Sequence, residues 1–266
     1  MTTLKSLHNL VGRKALITGA AGNIGKVFAN TLAELGSDLI LVDLIESNLE
    51  SLRDQLITDW GVKVDYYVCD LEIQNSRLDL IDRIKSAHRG LNTLINNAAL
   101  VGTSNLSGWN APFEEQSIET WRRALEVNLT AAFELSQGLL PLLKESHGSN
   151  IVNIASIYGI HAPVWHLYEG TNMSNPAAYG VSKAGLIQLT RWLATSIAPE
   201  VRVNAIAPGG IFRNQQKEFV KRYEMMTPLG RMASEDDLRG AIAYLTSDAS
   251  SYLTGPVLQI DGGWGI

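Results

Sequence analysis

The chain alternates two hydrophobic patterns. Short apolar runs rich in Val, Ile and Leu are separated by longer stretches in which apolar residues return every three or four positions. The runs Ala15–Thr18, Leu39–Asp43, Lys63–Cys69, Thr93–Asn96, Asn150–Ala155, Val201–Ile206 and Val257–Ile260 predict seven strands. None shows polar alternation, which is the pattern of strands covered on both faces of a parallel sheet. Between the first two, Ile24, Val27, Phe28, Leu32 and Leu35 share one helical face, and Gly36 marks where that helix stops. The same alternation runs almost to the C-terminus. It predicts an α/β fold: a doubly wound, Rossmann-like parallel sheet of about seven strands with helices on both faces. With no repeat, low-complexity tract or compositional break, residues 1–266 read as a single domain.

Composition narrows the function classes. A net charge of −5 argues against a nucleic-acid surface, which needs a basic stripe. Cys69 is the only cysteine, so an internal disulfide and a thiolate metal cluster are both excluded, and a reducing cytoplasm is the expected home. Residues 1–14 lack the apolar segment of a signal peptide, and no apolar run approaches membrane-spanning length. No membrane partner is expected.

Open parallel sheets bind ligands at the carboxyl ends of their strands, so chemistry is sought where strands stop. Gly19, Gly22, Asn23, Ile24 and Gly25 lie between the first strand and the first helix. Glycines let the backbone approach a pyrophosphate, and the helix N-terminus offers it free N–H groups; an ordinary strand-to-helix turn has the same composition. Asp43 ends the second strand 18 residues after Gly25, where a carboxylate can accept hydrogen bonds from ribose hydroxyls. Asp also ends strands as a plain turn former. Together, loop and acid point to a dinucleotide, and the absence of Arg or Lys close behind Asp43 favours NAD over NADP. Tyr179 and Lys183 stand four apart in the helical stretch Ala177–Leu193, hence on one face. A phenol titrates near about 10, and a nearby ammonium favours its ionised form. Ser156 follows the strand Asn150–Ala155, where its hydroxyl can bond a substrate oxygen or simply close a turn.

These features, with Asp70-Leu71, Asn96-Asn97-Ala98, Asn128, Pro208-Gly209 and Asp261-Gly262-Gly263, follow one another in an order that resembles the short-chain dehydrogenase/reductase family, from Arg13 to Gly263. The resemblance, to the compact single-domain type, implies an enzyme that transfers a hydride between NAD and a secondary alcohol or ketone. It implies Tyr179 as general acid/base, Lys183 as holder of the nicotinamide ribose and tuner of Tyr179, and Ser156 as binder of the reacting oxygen. Asn128 would hold a water in the proton relay, although a helix asparagine can also satisfy a neighbouring backbone group. Asp70 would meet the adenine and Asn97 line the cofactor groove, with Leu71, Ala98, Pro208, Gly209 and Ile211 beside it. Relatives commonly form homotetramers, so a homo-oligomer is expected.

Three positions depart from the family pattern. Asn23 replaces a usual glycine, and the spacing Gly19-x-x-Gly22-x-x-Gly25 is similar to the larger branch that modifies nucleotide sugars. Tolerance of left-handed angles by Asn would let the loop close. Ala99 stands where Gly is common. Arg213 replaces a hydroxyl residue that often follows the Pro-Gly pair.

Two segments are expected to carry the substrate, residues 157–178 and 210–227. The first places 22 residues between Ser156 and Tyr179, about twice the family spacing, and loops this long are commonly functional. His161, His166 and Glu169 suit a small, polar, hydroxylated or sugar-like molecule; a subunit contact or surface flap is the alternative. The stretch Tyr168–Met173 is similar to a subgroup associated with bacterial surface-carbohydrate synthesis. The two histidines lack partners at metal-ligand spacing, so no metal is expected. In the second segment Arg213, Lys217 and Lys221 would align if residues 214–223 were helical, ready for a phosphate or carboxylate, or else forming a solvated face. Competing functions are a nucleotide-sugar epimerase or dehydratase, from the glycine spacing, and a non-catalytic NAD-binding sensor. The first usually needs a long C-terminal substrate region, and the second would not need Asn128, Ser156, Tyr179 and Lys183 together.

Overall fold

The computed structural model describes residues 2–44, 46–101 and 106–266, without the side chains of residues 46–48. Seven strands, β1 (Lys14–Thr18), β2 (Asp38–Asp43), β3 (Val64–Val68), β4 (Thr93–Asn96), β5 (Asn150–Ile154), β6 (Arg202–Pro208) and β7 (Val257–Ile260), form one parallel sheet. Its order is β3-β2-β1-β4-β5-β6-β7, so the winding reverses between β1 and β4, where a crevice opens at the strand ends.

Helices cover both faces. They are α1 (Leu4–Leu7), α2 (Asn23–Glu34), α3 (Glu46–Trp60), α4 (Gln74–Ala87), α5 (Ile118–Leu125), α6 (Ala131–Lys144), α7 (Ala177–Ser196), α8 (Lys217–Met226) and α9 (Arg239–Thr246). Neighbouring residues of one strand serve opposite cores. Ala15, Ile17, Leu39 and Leu41 pack with Phe28 and Leu32 of α2, Leu56 of α3 and Ile242 of α9. Leu16, Ile40 and Val42 pack with Ile84 of α4, Leu139 of α6 and Leu193 of α7. That division is why the central strands are apolar without alternation. The expectation of two-faced burial fails at the sheet edges: β3 exposes Asp65 and Val68, and β7 is only partly covered, because each has a neighbour on one side alone.

Local signals close the elements as expected. Gly36 takes φ +94°, beyond reach of most side chains, and Ser37 N–H donates to the Leu32 carbonyl to end α2. Between α5 and α6 the helix widens into one π-helical turn, Glu126–Thr130. Arg77 of α4, buried to 1% exposure, braces this turn: it donates to Glu126 at 2.5 Å, to Glu134 of α6, and to the Leu71 carbonyl at 2.6 Å. Desolvation works against its charge, but the two carboxylates outweigh that and hold it protonated.

Removing one partner of such a buried network strands the others. Arg77→Met is expected to lower the unfolding free energy in urea by about 3 kcal/mol, with part regained by adding Glu134→Gln. A loss within measurement error would show that the network contributes nothing.

Candidate active site

The turn after β1 is built to let backbone come close. Gly19, at φ +63°, leaves no room for a side chain: a Cβ there would lie 2.9 Å from Ala98 Cα. At Gly25 it would lie 2.1 Å from the Gly19 carbonyl oxygen. Thr18 and Asn97 lock the end of β1 to the end of β4. Thr18 Oγ1 accepts from the N–H groups of Asn97 (3.0 Å) and Ala98 (3.1 Å), and Asn97 Nδ2 donates to the carbonyls of Thr18 and Gly19. Asn97 therefore holds the loop with its amide nitrogen rather than leaving it free to face the groove.

Asp43 reaches across from β2. One of its carboxylate oxygens accepts from Ala21 N–H (2.9 Å) and the other from Leu44 N–H (2.7 Å), and each keeps lone-pair capacity for a further donor. Gly22 caps α2 without a side-chain hydrogen bond, so the first-turn N–H groups at Asn23, Ile24 and Gly25 have no side-chain cap. Free helix N–H groups with a carboxylate acceptor beside them are what a pyrophosphate and its ribose need, so the chain's residues fit a dinucleotide. Asn23 needs no left-handed angle, contrary to the expectation: it enters the helix directly, and Gly19 alone takes the positive φ in the loop. Asp70 accepts from Glu72 N–H and ends β3's turn. Leu71, Ala98 and Asn128 line a cavity of about 10 Å³ together with Asn96, whose buried Oδ1 lacks a partner.

Ser156 sits two residues past the end of β5. Tyr158 N–H donates to Ser156 Oγ (3.2 Å), and the Ser156 hydroxyl is near enough to the buried Tyr179 hydroxyl to favour its ionised form. Lys183, one turn along α7, is buried at 2% exposure; its Nζ donates to the Ile154 carbonyl at 2.6 Å and lies 5.9 Å from the centre of the Tyr179 ring. Burial brings its pKa down to about 8. The Lys183 ammonium lies near the Tyr179 ring but is bonded to the Ile154 carbonyl. Burial pushes Tyr179 up, and the Ser156 hydroxyl and the charge of Arg213 draw it back.

Asn128 lies in the π-helical turn with its amide bonded on both sides. It accepts from Leu100 N–H (2.7 Å) and donates to the Leu100 carbonyl (3.1 Å) and to Ser182 Oγ (3.0 Å), while Ser182 donates to the Tyr179 carbonyl. Pro208 and Gly209 end β6 against β7: Gly209 N–H donates to Ile260, and Gly263 N–H to Asp261 Oδ1. Ile211 pairs with Ala233.

The expected substrate residues separate. His161 packs its ring 6.0 Å from Trp264 and contacts Gln259, at the C-terminal edge. His166 and Glu169 pair with each other at 2.9 Å on the surface, both mostly exposed. Arg213 pairs with Glu235 at 2.9 Å. The aligned cationic stripe does not form, because Asn214 takes φ +58° and the helix starts only at Lys217. Arg222 instead donates to the carbonyls of His166 and Glu169, pinning segment 157–178 to α8.

An aromatic cluster missed in the sequence lies under that segment. Ile157, Leu167, Phe219, Tyr223, Met232 and Trp264 are buried together, with Tyr158 and Tyr168 packed against them. Tyr223, pushed up to about 12 by burial, accepts from Gly210 N–H at 2.6 Å. No local pattern signals these contacts, which join residues more than a hundred positions apart; only their aromatic character was available. A cavity of about 190 Å³ is lined by Trp109, Phe113, Trp121 and Pro176 and by none of Ser156, Tyr179 or Lys183. Among the described residues no His, Cys, Asp and Glu group could hold a metal, and no helix is long and apolar enough to cross a membrane.

Residues 19–265 match the family model described as enoyl-(acyl carrier protein) reductase. The chain is 36% identical to a tropinone reductase homolog of Arabidopsis thaliana, across 96% of this chain and 93% of that protein. Among solved structures it resembles NAD+-bound xylitol dehydrogenase (TM-score 0.83, 29% identity, 96% of this chain and 99% of that one). It also resembles gluconate 5-dehydrogenase of Burkholderia cenocepacia J2315 in complex with NADP and tartrate (TM-score 0.86, 26% identity, 98% of each chain).

The state of Lys183 can be read from stability. Unfolded, it keeps its proton to about pH 10.5; folded, it releases it above about 8, so the unfolded state binds more protons within that window. Stability from this residue therefore rises with pH there. Between pH 7 and 10 the unfolding free energy of wild type relative to Lys183→Met is expected to rise by on the order of 2–3 kcal/mol in urea titrations. A pH-independent difference would contradict burial of the ammonium.

Proposed function

The chain belongs to the short-chain dehydrogenase/reductase family, and on that premise we propose that it transfers a hydride between NAD(H) and a secondary alcohol or ketone of a small, polar, hydroxylated molecule. It is an oxidoreductase of the compact type acting on alcohol or ketone groups. The observation that carries the catalytic assignment is the Lys183 bond to the Ile154 carbonyl, which holds α7 where the Ser156 hydroxyl acts on the buried Tyr179 hydroxyl at the end of β5. A substrate oxygen lodged between them would accept a hydrogen bond from Ser156 and exchange its proton with Tyr179. Lys183 fixes α7 so that Tyr179 faces that oxygen, and its hydrogen bond to Ile154 can be exchanged for a ribose hydroxyl. When bound, the nicotinamide supplies the hydride donor or acceptor.

Asn128 takes a positioning role in this reading as well as the expected water-holding one, its amide bonded to Leu100 and Ser182 with one Oδ1 lone pair remaining. Gly19, Gly22, Asn23, Ile24 and Gly25 seat the pyrophosphate, and Asp43 receives the adenosine ribose. Arg213, already paired with Glu235, gives no reason for an acidic substrate. Exposed Phe133, Val181 and Trp192 on α6 and α7 support a homo-oligomer, a tetramer by resemblance, and the lone Cys69 supports a cytoplasmic setting.

NAD is favoured because a ribose phosphate beside ionised Asp43 meets repulsion of about 4 kcal/mol at ~4 Å and an effective dielectric of about 20, reduced by relaxation and screening. Screening polyols, sugars and their ketones with both cofactors should give kcat/KM at least tens-fold higher with NAD. Asp43→Asn, which keeps an acceptor for the loop, should narrow that ratio. Equal kcat/KM for NAD and NADP in wild type overturns the cofactor assignment, whatever the substrate.

A further inference from the structure

Beside the candidate reacting centre lies a polar group that the assigned roles do not use. The hydroxyls of Tyr158 and Tyr168 lie 2.6 Å apart, so one donates to the other and one phenolic proton of the pair has no acceptor among the described residues. Asn175, 5% exposed, donates from Nδ2 to the Tyr168 hydroxyl at 3.4 Å, while its Oδ1 is buried without a partner. Turned over, the amide would give the Tyr168 hydroxyl an acceptor in Oδ1 and strand an amide N–H instead, so a polar atom is left without a partner either way. A buried polar atom without a partner marks a place where a bonding group belongs.

The position of the group is set from both sides. Tyr158 is two residues beyond Ser156 and bonds its hydroxyl through the backbone N–H. Asn175 immediately precedes Pro176, which caps α7, four residues before Tyr179. Tyr168 is close enough to act electrostatically on Tyr179. Aromatic packing holds the two phenols: Tyr158 meets Trp264 edge-on at 6.0 Å, and Tyr168 meets Phe219 at 5.4 Å.

We propose that Asn175, Tyr168 and Tyr158 bind a second hydroxyl of the substrate, next to the one that reacts. An alcohol both donates and accepts, which matches one free phenolic proton beside one free amide oxygen. An alcohol serves either orientation of the amide, whereas a carboxylate suits only the turned-over one and an ammonium leaves the phenol without an acceptor. The substrate class is therefore a diol, polyol or hydroxyketone, and these three residues are specificity determinants. Asn175 Oδ1 is closed to solvent while Arg222 holds segment 157–178 through the carbonyls of His166 and Glu169, so binding there requires that segment to lift for the substrate to enter. This rests on the hydride-transfer reading above.

The test compares matched alcohols of four to six carbons, beginning with butan-2-ol against butane-2,3-diol, in wild type, Asn175→Ala and Tyr168→Phe. Wild type should favour the diol in kcat/KM by tenfold or more. Each variant should lose at least tenfold more on the diol than on the mono-alcohol, with the extra loss in KM. Asn175→Ala should melt no lower than wild type, since it deletes an unsatisfied buried group. Equal losses on both substrates, or no diol preference in wild type, overturn the proposal and assign the group to the fold or to a buried water. A wild type that oxidises no alcohol in the series, with either cofactor, overturns the hydride-transfer reading itself.

Discussion

A buried hydrogen bond from the Lys183 ammonium to the Ile154 carbonyl ties helix α7 to the end of strand β5, and the candidate site depends on that tie. Burial works against the ammonium, bringing its pKa down to about 8, so the bond is held against a desolvation cost. It places Tyr179, one turn earlier on the helix, opposite Ser156, two residues past Ile154. The approach is possible only because Gly159 has no side chain: a Cβ there would lie 2.7 Å from the Lys183 carbonyl carbon. Hydroxyl pair, ammonium and glycine thus form one geometric unit.

The second half of the site follows from the sheet. Parallel pairing of β1 with β4, and of β4 with β5, brings three strand ends to one edge. Thr18 and Asn97 clamp the first two ends so that the glycine-rich turn stands beside the Ser156–Tyr179 pair. The π-helical turn carrying Asn128 is braced from behind by Arg77, and its amide passes that constraint on to Leu100 and Ser182. The groups seated around the reacting position are therefore held by buried hydrogen bonds rather than by mobile surface contacts, which is what a preorganised site requires.

Much of this was legible in the sequence for a definite reason. Strands buried on both faces must be continuously apolar, so their number and near-exact bounds followed from the runs themselves, and Gly36 signalled the end of α2. At the half-covered edge strands that logic weakens, and the exposure of Asp65 and Val68 was not foreseen. The pairing of Tyr179 with Lys183 followed from helical spacing, but the direction of the Lys183 side chain did not, since a carbonyl 29 positions away claims it. Arg213 looked like the first member of a helical stripe because spacing cannot show that Asn214 adopts a left-handed angle. The aromatic floor formed by Tyr158, Tyr223 and Trp264 is assembled wholly from distant segments, and the Asn175 orphan becomes visible only when every hydrogen bond is assigned.

The central claim is that the Tyr179 hydroxyl moves the proton that accompanies hydride transfer, and the Tyr179→Phe variant tests it most directly. With cofactor affinity measured by titration alongside turnover of the best alcohol substrate, kcat is expected to fall by about 10²–10⁴-fold while cofactor binding is retained. Turnover near that of wild type would contradict the account.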